Sequence, residues 1–343
     1  MSKVLVTGGC GFIGSHTIVD LIDNGFDVIS VDNLHNSDPS VLDGIEAITG
    51  KRVQNYEIDL CDAAKTRRIF LENPDIKGII HFAALKSVGE SVEQPLFYYR
   101  NNLNSLVNIL ACMEEFKVNH LIFSSSCSVY GNAKELPVTE ATERQEAESP
   151  YARTKQLGED ILKDFALVNP KANLIALRYF NPAGAHESAL IGESPSNVAN
   201  NLVPVITETA IGKRAEVVIF GDDYDTRDGS CIRDYIHVMD LAHAHVLALT
   251  YTMKGKNDQN YELFNLGIGE GVSVLEAVNA FETANNVKFR YRIGQRRPGD
   301  VVAIYANNDK AKTRLGWHPT RNIEDIMRSA WEWEKKRSEL VTA

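Results

Sequence analysis

Short apolar segments alternate with amphipathic helical segments through the first half of the 343-residue chain, and this alternation restricts the fold more than any other feature. Six segments rich in Val and Ile are predicted to be strands, at residues 3–8, 27–33, 53–60, 76–84, 118–126 and 174–180. Helices are predicted between them, at residues 12–25, 62–72, 93–116 and 150–168. Strands that are apolar along their whole length are typical of a parallel sheet covered by helices on both faces. We therefore predict an α/β fold with a doubly wound parallel sheet.

The sequence changes character after Phe180, where polar and turn-rich segments replace the regular alternation. We place a domain boundary there, between a first domain at residues 1–180 and a smaller mixed α/β lobe at residues 181–343. Part of the second lobe, near residues 232–265, has the pattern of a strand followed by a helix. We expect this part to pack back onto the first domain.

Composition argues against several classes of function. The net charge of −10 disfavours nucleic acid binding, which requires clustered Lys and Arg. The apolar runs are shorter than the roughly 20 residues that a membrane span requires. The five cysteines have neither C-x-x-C nor metal-ligand spacing, and no signal peptide precedes the first strand. We therefore expect a cytoplasmic protein with reduced thiols that binds neither nucleic acid nor a membrane and holds no metal.

A glycine-rich loop joins the first strand to the first helix in VLVTGGCGFIGSH. Glycines at this spacing allow a tight turn, close approach of a pyrophosphate to the backbone, and close packing of helix on strand. The pyrophosphate then binds the exposed N–H groups at the helix N-terminus. A glycine triplet is weak by itself, but its position between a strand and a helix predicts a Rossmann-type dinucleotide site. The predicted contacts in the loop are Gly8, Gly11, Phe12, Ile13 and Gly14.

Asp32 ends the second predicted strand, 18 residues after Gly14. A carboxylate at this place accepts hydrogen bonds from both hydroxyls of the adenosine ribose and repels a 2′-phosphate. No arginine stands beside it in VDNLHNS, so the sequence favours NAD over NADP. The alternative is that Asp32 only stabilises a turn.

The chain contains two Tyr-x-x-x-Lys pairs, Tyr151–Lys155 and Tyr130–Lys134. Removal of a proton from a sugar hydroxyl requires a base, and free tyrosine, with a pKa of about 10, is too protonated at neutral pH. A nearby ammonium stabilises the phenolate and lowers that pKa. Residues four apart share one face of a helix, and a Ser-Pro pair before Tyr151 predicts a helix start. A Gly-Asn turn follows Tyr130, so we prefer the first pair as the catalytic one.

Four serines, Ser124, Ser125, Ser126 and Ser128, lie at or just after the end of the fifth predicted strand. Ligands of parallel sheets bind at the carboxyl ends of the strands. One of these hydroxyls is therefore a candidate to share a proton with the tyrosine and a substrate hydroxyl. The alternative role is simple capping of the strand end.

Further motifs extend over essentially the whole chain: HFAALKSVGES, YYRNN, SSSCSVYG, LRYFNPAGAH, IRDYIHVMDL and RRPGD. Together with the glycine loop, Asp32 and the Tyr151–Lys155 pair, they resemble the UDP-glucose 4-epimerase family of the extended short-chain dehydrogenase/reductase superfamily. The glycine loop and the Tyr-x-x-x-Lys spacing mark only the superfamily. The segments LRYFNPAGAH, RDYIHVMDL and RRPGD are much closer to the epimerases.

The resemblance implies site residues at matching positions. Tyr151 would be the catalytic base, Ser126 its hydroxyl partner, and Lys155 would tune the tyrosine and hold the nicotinamide ribose. Besides the glycine loop, the implied NAD contacts are Asp32, Asn33, Asn36, Ser37, Asp59, Leu60, Phe82, Ala83, Ala84, Lys86, Asn101, Ser124, Tyr151, Lys155 and Tyr179. The implied UDP-hexose contacts are Lys86, Ser126, Tyr151, Tyr179, Phe180, Asn181, Asn201, Leu202, Phe220, Arg233, Arg297, Asp300 and Ile304. The two arginines would match a diphosphate as guanidinium forks.

The implied reaction is the reversible C4 epimerisation of UDP-glucose and UDP-galactose. Tyr151 would remove the 4-OH proton as C4 gives a hydride to NAD, and the resulting 4-keto sugar would turn and take the hydride back on its other face. Related dehydratases typically carry carboxylates just after the strand-five hydroxyl, where this chain has Cys127 and Ser128. A dehydratase is therefore less favoured, and the alternatives are an NAD-dependent nucleotide-sugar dehydrogenase or dehydratase, or a non-catalytic NAD sensor.

The sequence leaves two properties undecided, the substrate range and the oligomeric state. Ile304 stands where bacterial enzymes that exclude N-acetylated sugars have a tyrosine, so UDP-N-acetylglucosamine is a further candidate substrate unless neighbouring side chains fill the space. The resemblance also implies a homodimer with a four-helix interface, formed by the helix at 93–116 and the helix that carries Tyr151.

Histidines and one cysteine have competing interpretations. His81, His237, His243 and His245 could suggest a metal site, but no acidic ligands accompany them at useful spacing, so structural roles are favoured. Cys127 is either a site of sensitivity to thiol reagents or a small buried side chain.

Overall fold

Seven parallel strands form the central sheet of the computed structural model, which describes residues 2–195, 198–297 and 300–342. These strands are β1 (Lys3–Thr7), β2 (Asp27–Val31), β3 (Gln54–Tyr56), β4 (Ile76–His81), β5 (His120–Ser126), β6 (Asn173–Tyr179) and β11 (Tyr261–Leu266). Their order across the sheet is β11-β6-β5-β4-β1-β2-β3. The predicted Rossmann-type parallel sheet is therefore confirmed.

The remaining strands form three small two-stranded sheets, β7 with β10, β8 with β13 and β9 with β12. Their bounds are β7 (Asn181–Ala183), β8 (Val217–Phe220), β9 (Ile232–Arg233), β10 (Tyr235–His237), β12 (Val272–Ser273) and β13 (Tyr291–Gly294). The helices are α1 (Phe12–Asp23), α2 (Val41–Thr49), α3 (Ala63–Glu72), α4 (Val88–Glu93), α5 (Pro95–Phe116), α6 (Pro150–Val168), α7 (Leu202–Ala210), α8 (Val238–Met253), α9 (Val274–Asn285) and α10 (Ile323–Thr342). A 3-10 turn at Cys127–Tyr130 follows β5, and a π-helical turn lies at Ala311–Leu315.

Apolar cores cover both faces of the central sheet. Because side chains alternate along a strand, Val4 and Val6 of β1 enter one core and Leu5 enters the other. The first core contains residues of α1, α2 and α8, and the second contains residues of α3, α5 and α6. A third core joins α7, β8, α9 and α10 in the C-terminal part of the chain.

Residues after position 180 complete the central sheet. Strand β11 pairs in parallel with β6, from Tyr261 against Leu174 to Leu266 against Tyr179. Helix α8 places Leu241, Ala244 and Leu249 in the first core. The division of the chain at residue 180 stays a prediction.

Several predicted elements have different bounds in the structure, and two of these differences have a clear local cause. The third strand was predicted over residues 53–60 but covers only Gln54–Tyr56, because the chain turns as Ile58 donates a backbone hydrogen bond to Tyr56. The long helix was predicted from residue 93 but begins at Pro95, after Gln94, whose φ of −129° and ψ of 56° are not helical. A residue before proline is disfavoured in the helical conformation, so the helix restarts at the proline.

None of the helices in the described parts of the chain combines the length and the apolar content that a bilayer span requires.

Candidate active site

The predicted site residues gather along one edge of the central sheet. In a parallel sheet the carboxyl ends of all strands meet at the same edge, and the order β3-β2-β1-β4-β5-β6 is contiguous here. Asp32, Asn33, Asn36 and Ser37 follow β2; Asp59 and Leu60 follow β3; Phe82, Ala83, Ala84 and Lys86 follow β4; Ser124 and Ser126 end β5; and Tyr179 ends β6. Asn101 joins them from α5, and Tyr151 and Lys155 from α6.

The glycine loop is packed tightly between β1, β4 and α1. Gly8 has a φ of +68°, and a Cβ built on it would lie 2.9 Å from the backbone nitrogen of Ala83. A Cβ on Gly14 would lie 2.2 Å from the carbonyl oxygen of Gly8. Gly11 is the N-cap of α1 and makes no side-chain capping hydrogen bond. The first N–H groups of α1 are therefore arranged to receive an anion such as a pyrophosphate.

Asp32 fastens the glycine loop to the end of β2. One carboxylate oxygen accepts a hydrogen bond from the backbone N–H of Cys10 at 3.0 Å. The other accepts from the backbone N–H of Leu34 at 2.9 Å and from the hydroxyl of Ser37 at 2.8 Å. Asp32 therefore stabilises the turn after β2. Its carboxylate also lies where an adenosine ribose would meet the loop.

Helix α6 begins as its sequence predicts, one residue before Tyr151. Ser149 is the N-cap and its hydroxyl accepts a hydrogen bond from the backbone N–H of Ala152 at 3.2 Å, while Pro150 occupies the first helical position. These features fix the start of the helix. Tyr151 and Lys155 therefore lie on the same face, one turn apart.

Lys155 is buried, with 5% of its surface exposed. Its Nζ atom donates a hydrogen bond of 2.6 Å to the carbonyl oxygen of Ser124 and lies 5.9 Å from the centroid of the Tyr151 ring. It also lies 5.1 Å from the centroid of the Phe123 ring. Burial lowers the pKa of Lys155 to about 8, and the charge of Glu159 opposes this shift.

The pKa of Tyr151 is displaced in the direction opposite to the one expected from the sequence. Burial raises the pKa of the phenol, and the neighbouring Tyr179 raises it further, whereas a hydrogen bond with Ser126 lowers it. The expected lowering by Lys155 is absent in this structure because loss of hydration is the largest influence on the phenol, while the Lys155 ammonium donates its hydrogen bond to the carbonyl of Ser124. The phenol is therefore protonated here at neutral pH.

The serines at the end of β5 have separate partners. The hydroxyl of Ser124 makes a short hydrogen bond with the Tyr179 phenol. The hydroxyl of Ser125 turns to the opposite face and donates to Glu159 at 2.6 Å. The hydroxyl of Ser126 accepts from the backbone N–H of Ser128 at 3.2 Å, and so it caps the 3-10 turn as well as facing Tyr151.

The second Tyr-x-x-x-Lys pair has different surroundings. Tyr130 is fully buried, and its hydroxyl lies 2.6 Å from Oδ1 of Asn265 and 3.0 Å from the carbonyl oxygen of Thr139. Lys134 is exposed, beyond the 3-10 turn that contains Tyr130. This tyrosine ties the end of β5 to β11 and is not directed at the sheet edge.

The two arginines of the predicted substrate site converge on one carboxylate. Arg297 contacts Asp300 through Nε at 3.2 Å and Nη2 at 2.8 Å, and Arg233 lies 3.5 Å from the same carboxylate. The guanidinium of Arg297 also lies 5.4 Å from the centroid of the Phe220 ring, which is 42% exposed. Two cations and an exposed aromatic ring suit a nucleotide diphosphate.

Glu193 connects two residues of the predicted ligand site. Its Oε1 atom accepts a hydrogen bond of 2.8 Å from Asn201 and lies 3.7 Å from Nζ of Lys86. Trp333 donates to its backbone carbonyl at 2.8 Å and holds the segment from the side of α10.

The other predicted substrate residues line the same region from several elements. Asn181 begins β7 and donates its backbone N–H to the carbonyl of Asp234 at 2.9 Å, and Leu202 begins α7. Phe180 and Ile304 are buried together in an apolar cluster that Cys127 contacts. Burial raises the pKa of Cys127 to about 12, which favours its interpretation as an unreactive side chain.

The histidines have structural partners. His81 lies 2.9 Å from the hydroxyl of Thr7, His237 caps α8 by accepting from the backbone of Met239, and His243 pairs with Asp20. His245 packs on Phe82 at a centroid distance of 4.6 Å. Within the described residues, His, Cys, Asp and Glu form no group of three or more that could hold a metal ion.

Sequence reasoning missed two buried carboxylates beside the site. Glu159 lies one turn after Lys155 and pairs with Arg178, and continuing the four-residue spacing from Tyr151 would have found it. Asp234 is fully buried and accepts backbone hydrogen bonds from Ile268, Gly269 and Ala306. Burial raises the pKa of Asp234 to about 6. Its position inside IRDYIHVMDL was the only signal in the sequence.

The sequence is similar to proteins of known family along almost its whole length. Residues 5–330 match the family model described as GDP-mannose 4,6 dehydratase. The UDP-glucose 4-epimerase of Haemophilus influenzae is 47% identical over 332 residues, which cover 97% of each chain. The chain belongs to the UDP-glucose 4-epimerase family. The family member of Bacillus subtilis is 44% identical over 331 residues, which cover 96% of each chain.

Solved structures of the UDP-glucose 4-epimerase family share the fold. The Bifidobacterium longum enzyme in complex with NAD+ and UDP has a TM-score of 0.93 and 46% identity, covering 98% of this chain and 99% of that one. The Stenotrophomonas maltophila enzyme with bound NAD and formylated UDP-arabinopyranose has a TM-score of 0.95 and 43% identity, covering 99% and 100%. The family's epimerases thus match this chain along its whole length.

Proposed function

We propose that this protein is an NAD-dependent isomerase that interconverts UDP-glucose and UDP-galactose at C4. The observation that carries the proposal is the joint placement of Tyr151, buried Lys155 and Ser126 at the sheet edge that begins with the glycine loop. Full-length similarity to UDP-glucose 4-epimerases supports the choice of reaction over dehydration or simple oxidation.

The residues present fit a dinucleotide and a nucleotide sugar. The glycine loop and the uncapped start of α1 would hold the pyrophosphate of NAD, and Asp32 its adenosine ribose. Bound NAD supplies a hydride acceptor for C4 and then a hydride donor. Arg233 and Arg297 would hold the diphosphate of the substrate in place of part of their contact with Asp300.

Tyr151 would take the proton of the 4-hydroxyl and return it after the keto sugar has turned. The phenol needs a lowered pKa for this step, and the ammonium of Lys155, 5.9 Å from the ring centroid, is the nearby cation that would stabilise the phenolate. Ser126 faces the same phenol and would relay or share the proton. A firm hold on the diphosphate with few contacts to the hexose would leave the sugar free to turn between the two steps.

One assay distinguishes an epimerase from a dehydrogenase and from a non-catalytic NAD sensor. The purified protein is mixed with UDP-galactose, and UDP-glucose formation is followed together with the absorbance of reduced nicotinamide. We expect product without net NADH. Stoichiometric NADH would instead identify a dehydrogenase, and neither product nor NADH would favour an NAD sensor.

We also propose activity on UDP-N-acetylglucosamine and UDP-N-acetylgalactosamine. Ile304 is smaller than the tyrosine that stands in epimerases that exclude acetylated sugars. It packs in one apolar cluster with Phe180 and Cys127, among the predicted substrate residues. Comparison of Ile304→Tyr with the unchanged protein on acetylated and non-acetylated sugars tests this proposal.

We further propose that the enzyme is a homodimer. Helices α4 and α5 expose Val88, Val92, Leu96, Phe97 and Val107, of which Leu96 is 78% exposed. A second copy of this chain is the occupant that the resemblance implies, and apolar side chains exposed on these helices are suited to such an interface. Sedimentation velocity should give a dimer for the unchanged protein and a monomer for Leu96→Glu/Phe97→Glu. A monomeric unchanged protein would contradict the proposal.

A cytoplasmic location completes the proposed function. It is supported by the five free cysteines, which a reducing compartment preserves. Fractionation of cells that produce the protein should recover the activity with the cytoplasmic fraction.

A further inference from the structure

Tyr151, Lys155 and Glu159 follow one another at four-residue spacing along α6. This spacing places all three side chains on one face of the helix, over the end of β5. Lys155 and Glu159 are both buried, with 5% and 2% of their surfaces exposed. A buried carboxylate thus lies one turn beyond the lysine, on the side away from the tyrosine.

The carboxylate of Glu159 is held in a fixed position. Arg178 of β6 donates to it twice, from Nε at 2.8 Å and from Nη2 at 2.6 Å. The hydroxyl of Ser125 donates at 2.6 Å, and Arg144 lies 3.6 Å away. Partners of this number are what an ionised buried carboxylate requires.

Apart from Glu159, the contacts of Lys155 do little to stabilise its charged form. Its hydrogen bond to Ser124 goes to a neutral carbonyl, and burial alone favours the neutral amine. Burial lowers the pKa of Lys155 to about 8, and the charge of Glu159 is the influence that opposes it. A lysine that lost its proton could no longer stabilise a phenolate at Tyr151.

We propose that Glu159 is a positioning residue of the active site, which Arg178 and Ser125 hold where its negative charge keeps the Lys155 side chain an ammonium beside Tyr151. The phenol that accepts the proton, the ammonium beside it and the carboxylate that keeps this ammonium charged then lie on three successive turns of α6. The inference rests on the proposed epimerase function and adds a residue to it.

Other titratable groups around Lys155 do not supply this charge. Burial lowers the pKa of His81 on β4 to about 3, and the pKa values of the nearby phenols and thiol are raised, so all of them are neutral at physiological pH. These neutral neighbours are His81, Tyr98, Cys127, Tyr151 and Tyr179. Arg178 and Arg144 are cations, and both pair with Glu159.

The test compares Glu159→Gln with Asp160→Asn in the NAD-loaded enzyme. Both changes convert a carboxylate to an amide on α6, but Asp160 is 49% exposed and pairs with Arg144 at the surface. The pH dependence of kcat for UDP-galactose is measured for both variants. In Glu159→Gln the loss of activity at alkaline pH should begin about one pH unit lower, because the lysine loses its proton earlier. Asp160→Asn should keep the alkaline limb of the unchanged enzyme, since solvent screens its charge.

A second readout does not depend on turnover. Protein labelled with [13C]lysine is titrated by NMR, and the signal of Lys155 is assigned by its loss in Lys155→Met. The midpoint of this signal should fall in Glu159→Gln and stay unchanged in Asp160→Asn. In Glu159→Asp, which keeps the charge, the midpoint should stay close to that of the unchanged protein.

Glu159→Gln leaves Arg178 buried without its anion and risks unfolding. The double variant Glu159→Gln/Arg178→Gln contains no unpaired charge and should shift both readouts in the same direction. A uniform loss of activity at every pH, with an unmoved lysine midpoint, would overturn the inference and leave Glu159 a purely structural residue. Failure of the unchanged enzyme to form UDP-glucose would contradict the proposed function instead, so the two failures are distinguishable.

Discussion

The Nζ atom of Lys155 lies 2.6 Å from the carbonyl oxygen of Ser124. Through this hydrogen bond, the cation of the Tyr-x-x-x-Lys pair is attached to the carboxyl end of β5, two residues before Ser126. Helix α6 and strand β5 therefore present the phenol, the ammonium and the hydroxyl as one unit at the sheet edge. Proton transfer at this unit depends on the phenol itself.

Tyr151→Phe should reduce kcat for UDP-galactose by about a thousandfold, because it removes the group that transfers the 4-hydroxyl proton. The ring is retained, so packing around it should change little. Circular dichroism and the NAD content of the purified variant should match the unchanged enzyme. Turnover within tenfold of the unchanged enzyme would overturn the assignment of Tyr151 as the base.

Arg297→Gln should raise KM for UDP-galactose by roughly 10- to 100-fold, the cost of losing a charge-assisted contact to a diphosphate. Its neighbour Arg296 provides a matched control, because it is similarly exposed and pairs with Asp223 instead. Steady-state kinetics of Arg296→Gln should give a KM close to that of the unchanged enzyme. An equal increase of KM in both variants would indicate a general charge effect.

Ile304→Tyr should lower kcat/KM for UDP-N-acetylglucosamine by about tenfold or more while UDP-glucose is affected less, because the larger ring fills space that the acetyl group needs. Ile304 is only 5% exposed, so overpacking is also expected to cost about 1–3 kcal/mol of stability. Product formation from both sugars is measured for the two proteins. Equal rejection of the acetylated sugar by both would end the idea that Ile304 sets substrate range.

Gly8→Ala should lower the free energy of unfolding by about 3 kcal/mol, because it combines left-handed backbone strain with a clash against Ala83. Gly25 separates the two contributions, since its φ is +82° but no atom lies within 4 Å of the place that a Cβ would occupy. Gly25→Ala should therefore cost only about 1 kcal/mol. Urea denaturation measures both, and NAD binding should weaken in Gly8→Ala alone.

Stability should fall as the pH is lowered from about 6.5 toward 3, because buried histidines are neutral in the folded protein. Burial lowers the pKa of His81 and of His16 to about 3 and that of His237 to about 4. The unfolded chain binds protons at these positions first, which favours unfolding by up to about 1.4 kcal/mol per pH unit for each group.

Denaturation at pH 7 and pH 5 checks this prediction. His81→Gln should show a smaller loss of stability between the two pH values than the unchanged protein. The exposed His318 is the control, and His318→Gln should keep the original pH dependence. Identical pH dependence in all three proteins would show that the buried histidines do not control acid stability.

The central sheet could be predicted because its strands are apolar along their length and alternate with helices. The sheet edge that contains the site follows from the same topology, since parallel strands all end on one side. The start of α6 was also readable, because Ser149 and Pro150 are strong local signals. Local sequence determines these features.

Features that depend on distant contacts could not be predicted. The pKa of Tyr151 depends on how deeply the phenol is buried, which spacing along α6 does not report. Glu159 meets Arg178 only when α6 packs on β6. Asp234 accepts hydrogen bonds from segments more than 30 residues away, at Ile268 and Ala306. Each of these contacts arises from the assembled sheet.

Strand β11 lies beside β6 as the last member of the central sheet. A truncated fragment ending at residue 180 would leave the peptide groups along that flank of β6 unpaired and would also lose the apolar cover that α8 provides. Such an edge is a template for aggregation of the fragment. Chimaeras that exchange nucleotide-binding and sugar-binding parts between homologous enzymes should therefore keep β11 with the strands that precede it.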